Sequence, residues 1–164
     1  MKTKNLIIGL ILLLLGQSPG FAQSYLETRL KNVKGEQSSI LKEAGENELI
    51  VLDFWATWCK PCVKAIPKIK ELEKEFENES ISFIGINADS PRNLAKVRPF
   101  VKTHGIEYPV LMDVDQEIMN ELLINAFPTF LIIDRKGKVL FTHRGFTNGD
   151  EKLIRDEIQK LLAK

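Results

Sequence analysis

The two cysteines of this 164-residue chain lie three positions apart in Cys59-Lys60-Pro61-Cys62, shortly after an apolar run at residues 49–54. The following residues have helical spacing, so the pair stands at the start of a helix. Unpaired backbone N–H groups and the positive end of the helix dipole stabilise a thiolate at such a position. Lys60 adds a positive charge, and Pro61 suits a first turn that needs no N–H partner. A second sulfur one turn away can resolve a mixed disulfide, which favours redox chemistry.

Two alternatives to redox chemistry stay open at this point: a structural disulfide and half of a zinc site. A bridge between residues three apart closes a very small loop, and chain entropy gives such loops the least stabilisation. Zinc usually takes four ligands. Beyond the two cysteines, the chain offers only His104 and His143 as histidine ligands, and they are not spaced as a ligand pair. Thiol–disulfide exchange without a metal is therefore the favoured interpretation.

Hydrophobic patterning predicts the elements that position the cysteines. Three short apolar runs, at residues 49–54, 81–86 and 130–133, are typical of strands that are covered on both faces. Between the first two, apolar residues recur at helical spacing and predict a helix over residues 60–77. The order strand, helix, strand indicates a parallel pair with the cysteines at its connection.

Turn residues predict two hairpins and an α/β fold. A short glycine-containing connection joins strands at residues 130–134 and 138–143, and a second hairpin is expected around Lys34-Gly35. A further strand is expected over residues 108–112. This alternation of strands and helices predicts a central mixed β-sheet flanked by helices on both faces.

Capping residues predict where three further helices begin. Ser90, which a proline follows, is the expected N-cap of a helix that Pro99 should kink or end. Asp115 is the expected cap of a short helix. Asn148, with Glu151 three residues later, resembles a capping box at the start of a terminal helix.

Composition and the N-terminus bound the class of protein. The chain is 44% hydrophobic and 27% charged with a formal net charge of +1, which favours one globular domain and gives no indication of a nucleic-acid partner. Lys2 and Lys4 precede an apolar run at residues 6–15, and small residues follow up to Ala22. This pattern predicts a signal peptide over residues 1–22, cleaved after Ala22. A retained membrane anchor is the alternative, although the run is about half of the roughly 20 residues that a spanning helix needs.

The motifs together resemble a known family. The segment 52–62, which reads LDFWATWCKPC, Pro67 in the following helix and Phe-Pro-Thr at 127–129 are similar to thioredoxin-fold proteins. They are most similar to exported thiol-disulfide oxidoreductases of the TlpA/ResA type, and residues 90–113 resemble the extra helix and strand of that type. The resemblance covers residues 23–164 and implies one thioredoxin-like domain, an α/β fold with an inserted helix–strand segment.

The resemblance implies three catalytic residues. Cys59 matches the attacking thiol and Cys62 the resolving one, while Asp53 matches the buried acid that exchanges a proton with the resolving thiol. Independently, burial of an acid in an apolar strand raises its pKa into a range where it can act as acid or base. The alternative is that Asp53 lies hydrated and inert at the end of the strand.

The resemblance also implies a substrate-binding surface of Trp58, Phe127 and Pro128. Pro128 matches a proline with a cis bond beside the disulfide, and the backbone edge at Phe127 would pair with an extended substrate. Trp58 would flank and shield the sulfurs. The alternatives are a simple strand-start proline at position 128 and ordinary packing for Trp58.

Two positions limit the resemblance, and a third bears on peroxidase activity as a further alternative. TlpA/ResA-type motifs often place an acid three residues after the second cysteine, where this chain has Ala65. Asp89 lies near the place of another functional acid but does not align cleanly, and it stays unassigned. Thiol peroxidases, which share the fold, usually carry a threonine three residues before the reactive cysteine, and position 56 is alanine.

These features predict an exported, periplasmic protein-disulfide reductase that uses no cofactor beyond the Cys59–Cys62 pair. No histidine stands between the cysteines, which favours reduction, whereas Lys60 stabilises the thiolate and favours oxidation somewhat. The expected partners are protein thiols and disulfides, together with an upstream electron donor that could be bound to the membrane. No nucleic acid or metal is expected. The protein should be a monomer. Cytochrome c maturation is one hypothesis for its use. The alternatives are a disulfide oxidase or isomerase and a non-catalytic binding module.

Overall fold

The structure, a computed structural model, describes residues 24–164, so the predicted signal peptide 1–22 and its cleavage site lie outside the described residues. Among the described helices, none is long and apolar enough to cross a membrane. After a 3₁₀ turn, Ser24–Leu26, the elements follow in this order: β1 (Leu30–Asn32), β2 (Gln37–Ser38), α1 (Ile40–Ala44), β3 (Leu49–Trp55), α2 (Lys60–Glu75), β4 (Ile81–Asn87), α3 (Leu94–His104), β5 (Val110–Met112), α4 (Glu117–Glu121), β6 (Thr129–Asp134), β7 (Val139–Arg144) and α5 (Asp150–Leu162).

The strands form a mixed sheet in the order β2-β1-β5-β4-β3-β6-β7. The neighbours β3, β4 and β5 run parallel, and the other pairs are antiparallel. The two predicted hairpins, β1–β2 and β6–β7, are confirmed, with Gly35 and Gly137 in the left-handed region at φ 87° and 85°. The predicted helix and strand of residues 90–113 are α3 and β5, which add a strand beside β4.

Strand β3 divides the core into two layers, because alternate side chains of a strand point to opposite faces. Leu49, Val51 and Trp55 belong to the cluster built with α2, α3 and α5. The intervening apolar residues belong to the cluster built with α1 and α4. By the same alternation, Asp53 lies on the face that α2 covers, the face that also holds Cys59 and Cys62.

The start of α3 differs from the prediction. The helix begins after Asn93, and the carbonyl of Ser90 accepts the Asn93 amide at 2.8 Å in a preceding turn. Ser90 is therefore not the N-cap. Pro99 lies inside the helix and does not end it. Proline removes one N–H donor, and the next turn still packs Phe100 and Val101 against the core, which compensates for that loss.

Two other predicted caps are also wrong. Asp115 is exposed, whereas the buried Asp113 carboxylate accepts the Met119 amide at 2.9 Å and caps α4 from further upstream. At α5, the N-cap position is Gly149 rather than Asn148. At α4 the capping side chain therefore lies outside the expected spacing, whereas at α5 no side chain caps the helix and the Glu151 carboxylate accepts the Gly149 amide at 2.9 Å.

Candidate active site

The two cysteines form a disulfide at the junction of β3 and α2. Cys59 is the N-cap residue of the 16-residue helix, and its sulfur accepts a hydrogen bond from the Cys62 amide at 3.2 Å. No acidic residue lies in the first turn, while Lys60 is exposed there. Negative charge on the Cys59 sulfur would therefore be stabilised by an amide already aimed at it, by the helix dipole and by a nearby cation.

A buried carboxylate fixes the loop that carries Cys59. Asp89, fully buried after β4, accepts the Thr57 amide at 2.7 Å and the Thr57 hydroxyl at 2.9 Å. The Asn87 side-chain amide donates to the same carboxylate at 2.8 Å. The backbone two residues before Cys59 is thus held to the end of β4. Sequence analysis left Asp89 unassigned, because alignment with a motif cannot show a hydrogen bond between two separate loops.

Asp53 is buried in β3, with 3% of its surface exposed. Its Oδ2 accepts a hydrogen bond from the Tyr108 hydroxyl at 3.2 Å, and its Oδ1 is buried without a partner. Burial raises the pKa of Asp53 to about 7, and the Tyr108 hydrogen bond partly opposes this shift. The alternative of a hydrated residue at the strand end does not hold. The catalytic role of Asp53 stays a prediction.

Trp58 and Phe127 form an aromatic pair next to Cys59. Their ring centroids are 5.7 Å apart in an edge-on arrangement. Trp58 is 61% exposed, and Phe127 is half-buried. The pair joins the cysteine segment to the loop before β6 and leaves an apolar surface open to solvent. Shielding of the sulfurs by Trp58 stays a prediction.

The Phe127–Pro128 peptide bond is cis, as the resemblance implied. Pro128 is buried directly before β6, and its carbonyl accepts the Gly145 amide at 2.7 Å. The Thr129 hydroxyl donates to the Ala126 carbonyl at 2.8 Å. These bonds fix the loop on both sides of Phe127. Pairing of Phe127 with a substrate stays a prediction.

The histidines considered as zinc ligands lie in other elements. His104 ends α3 with its ring 4.2 Å from that of Phe100, and His143 is in β7, 3.1 Å from Asp150. Within residues 24–164 no group of three or more histidine, cysteine or acidic side chains is arranged to hold a metal ion.

Comparison with known sequences places the chain among thioredoxin-like proteins. The profile of the AhpC/TSA family matches residues 22–142. The chain is 33% identical over 130 residues to the thioredoxin-like protein YneN of Bacillus subtilis, covering 79% of this chain and 70% of YneN. It is 32% identical over 127 residues to the thiol-disulfide oxidoreductase ResA of Bacillus anthracis, covering 76% of this chain and 65% of ResA. The match thus spans just under two thirds of ResA.

Comparison with solved structures agrees. A thiol-disulfide oxidoreductase from Bacteroides fragilis superposes with a TM-score of 0.68 at 26% identity, covering 82% of this chain and 96% of that one. A thioredoxin-like protein from Porphyromonas gingivalis gives 0.69 at 28% identity, covering 82% and 89%. These similarities confirm the predicted thioredoxin-like α/β fold.

Proposed function

Because the chain belongs to the AhpC/TSA family and is a thiol-disulfide oxidoreductase of the ResA type, we propose that it reduces disulfide bonds in other proteins. The observation that carries this proposal is the Cys59–Cys62 disulfide at the N-terminus of α2, with the Cys62 amide on the Cys59 sulfur. A site built in this way stabilises a thiolate and keeps its resolving partner within one turn.

The reaction is an exchange of disulfides. The Cys59 thiolate attacks one sulfur of the substrate disulfide, so that a mixed disulfide forms and the other substrate sulfur leaves as a thiolate. Cys62 then gives its proton to Asp53 and attacks the Cys59 sulfur. The bond from Cys59 to the substrate breaks, the second substrate thiolate leaves, and Cys59 and Cys62 end as a disulfide. Two electrons pass from the protein to its substrate without a further cofactor.

The substrate class follows from the surface beside the sulfurs. Trp58 and Phe127 offer an exposed apolar contact of about the size of one or two side chains, and the loop at Pro128 is fixed by hydrogen bonds on both sides of Phe127. An extended polypeptide fits such an edge by adding main-chain hydrogen bonds. Protein disulfides are therefore the proposed substrates.

The proposed direction is reduction. A histidine between the cysteines would stabilise the reduced form further and make the couple more oxidising, and this chain has Lys60 and Pro61 there. An oxidised protein must then be reduced again by an upstream donor. The signal peptide predicted at residues 1–22 supports the proposal that this protein works outside the cytosol, in the periplasm.

The reduction potential of the Cys59–Cys62 couple tests the direction. The protein is equilibrated with glutathione buffers, and its free thiols are counted by alkylation. We expect a value near that of thioredoxin, about −270 mV. A value of about −120 to −180 mV would identify an oxidase or isomerase instead.

Three further measurements test the class of function and its use. Cys59→Ser should abolish reduction of insulin disulfides, whereas a non-catalytic binding module would keep its partner. Consumption of hydrogen peroxide at a rate above that of insulin reduction would indicate a peroxidase. Deletion of the gene should lower covalent haem proteins if the physiological use is cytochrome c maturation, and normal levels would remove that hypothesis.

A further inference from the structure

Asp53 has an uneven environment that the exchange reaction by itself does not explain. One carboxylate oxygen, Oδ2, accepts the Tyr108 hydroxyl, whereas Oδ1 is buried without a partner. The strand neighbour opposite Asp53 on β6 is Phe130, which is apolar. The carboxyl group is thus held through one oxygen, while the other oxygen is buried without a hydrogen-bond partner.

The residue that holds Asp53 comes from the inserted segment. Tyr108 is 4% exposed and stands two residues before β5, where the Pro109 carbonyl accepts the Gly85 amide at 2.8 Å. This bond fixes the segment against β4. The register of β3 and β4 places Gly85 directly beside Asp53.

Gly85 makes room for the tyrosine ring. A Cβ atom at position 85 would lie 3.2 Å from Cε2 of Tyr108 and 2.9 Å from Nε1 of Trp55. A glycine inside a buried strand weakens the strand and usually marks a close approach. Here the side chains of Trp55 and Tyr108 both approach the glycine closely, and the hydroxyl of Tyr108 donates to Asp53.

We propose that Tyr108 is a positioning residue for thiol–disulfide exchange, whose hydroxyl holds Oδ2 of Asp53 so that Oδ1 takes the proton of Cys62. This inference rests on the proposed function. The proton leaves the Cys62 sulfur and is bound by Asp53, and the Cys62 electron pair then attacks the Cys59 sulfur. Because Tyr108 donates to the carboxylate, it favours the ionised form, which is the form that can accept a proton.

The groups around Tyr108 keep its hydroxyl protonated. Burial raises the pKa of Tyr108 well above its ordinary value, and the negative charges of Asp53 and of Glu73 on α2 raise it further. Tyr108 therefore acts as a donor throughout the accessible pH range. The other charged side chains that line the two surface clefts beside Tyr108 are Lys34, Glu43, Glu77, Arg98, Lys102 and Glu107.

Three variants of the full chain test the proposal. Tyr108→Phe removes the hydroxyl and keeps the ring. Tyr25→Phe is the matched control, since Tyr25 is the other tyrosine of the chain, is equally buried, packs on the opposite face of the sheet and donates to the Gly137 carbonyl. Asp53→Asn removes the titrating group and identifies its contribution to the pH profile.

Two readouts are compared for each variant. The first is the midpoint of Asp53 ionisation, followed by carboxyl carbon NMR in the oxidised protein. The second is the rate at which the reduced protein reduces oxidised glutathione as a function of pH. Glutathione reacts with any reactive dithiol, so this rate does not depend on whether proteins are the natural substrate. Alkylation of Cys59 by iodoacetamide reports separately on the attacking thiol.

We expect Tyr108→Phe to raise the Asp53 midpoint by about one pH unit and to move the Asp53-dependent limb of the rate profile upward by the same amount. Tyr25→Phe should move neither, and Asp53→Asn should lack the limb. An unchanged midpoint in Tyr108→Phe, or a midpoint that moves while the rate profile does not, overturns the proposal. Failure to reduce insulin by a wild-type protein that still reduces glutathione would overturn the proposed function alone.

Discussion

Two buried carboxylates stand near the disulfide, and their surroundings differ. Asp89 receives three hydrogen bonds, two from Thr57 and one from Asn87, so both of its oxygens are occupied. Asp53 receives one hydrogen bond, from Tyr108, and one of its oxygens has no partner. Both residues lie at the carboxyl-terminal half of neighbouring parallel strands or just beyond, where the cysteine loop begins.

This difference separates an anchoring carboxylate from one with a raised pKa. A carboxylate that accepts several hydrogen bonds holds the groups that donate to it in place. A carboxylate that is buried with few donors resists ionisation, and the pKa of Asp53 is accordingly raised to about 7. Asp89 therefore holds the shape of the loop before Cys59, whereas Asp53 is the carboxylate that we propose to take up a proton during the reaction.

The largest expected effect is on the pH dependence of stability, through Asp53→Asn. Burial raises the pKa of Asp53 from 3.8 to about 7, so its contribution is most favourable below pH 3.8 and is lost as the pH rises through 7. Wild-type protein should lose about 4 kcal/mol of unfolding free energy over this interval. Asp53→Asn should not lose it. Urea unfolding of the oxidised protein near both ends of the interval measures the difference.

The comparison variant is Asp113→Asn, because burial also raises the pKa of Asp113 while hydrogen bonds from amides of α4 oppose that shift. Its substitution should flatten the pH dependence less than Asp53→Asn does, and it should also remove the cap of α4. Equal slopes for wild type and Asp53→Asn would show that Asp53 ionises as freely in the folded protein as in the unfolded chain, and the comparison of the two carboxylates would fail.

The next-largest expected effect is a loss of stability, opposite in sign to the effect of Asp53→Asn at neutral pH. Asp89→Ala leaves the Thr57 amide and the Asn87 side chain without their acceptor, and each unpaired buried donor is costly. We expect a loss of about 3 kcal/mol at neutral pH. Denaturant unfolding of the oxidised protein measures it, and Asp89→Asn, which keeps one acceptor oxygen, should lose about half as much. A loss in Asp89→Ala of no more than that in Asp89→Asn would contradict the role of an anchor.

Sequence and structure agree best where a pattern is local. The helix after the cysteines and the strands at residues 49–54 and 81–86 follow from local periodicity, whereas the cis bond at Pro128 follows from the family resemblance. The raised pKa of Asp53 could be predicted as well, because an acid within an apolar strand is unusual by itself.

The parts that sequence analysis missed depend on contacts between distant segments. Tyr108 meets Asp53 across 55 positions, and Thr57 meets Asp89 across 32. The predicted cap of α4 is wrong for the same reason, since Asp113 caps this helix from a loop whose path the sequence does not specify. Gly85, inside an apolar strand, was the one available signal for a close approach to β4.

The smallest expected effect separates the two bonds that Thr57 makes. Thr57→Val keeps the backbone amide on Asp89 and removes the hydroxyl hydrogen bond of 2.9 Å. Because Oδ1 of Asp89 then resembles Oδ1 of Asp53 in lacking a donor, the variant turns the anchor partly into the other kind of site. We expect a loss of about 1 kcal/mol in urea unfolding at neutral pH. Thr57→Ser, which keeps the hydroxyl and loses the methyl, is the control and should lose less. An equal loss in both variants, or no loss in Thr57→Val, would mean that the hydroxyl hydrogen bond to Asp89 adds nothing beyond side-chain packing.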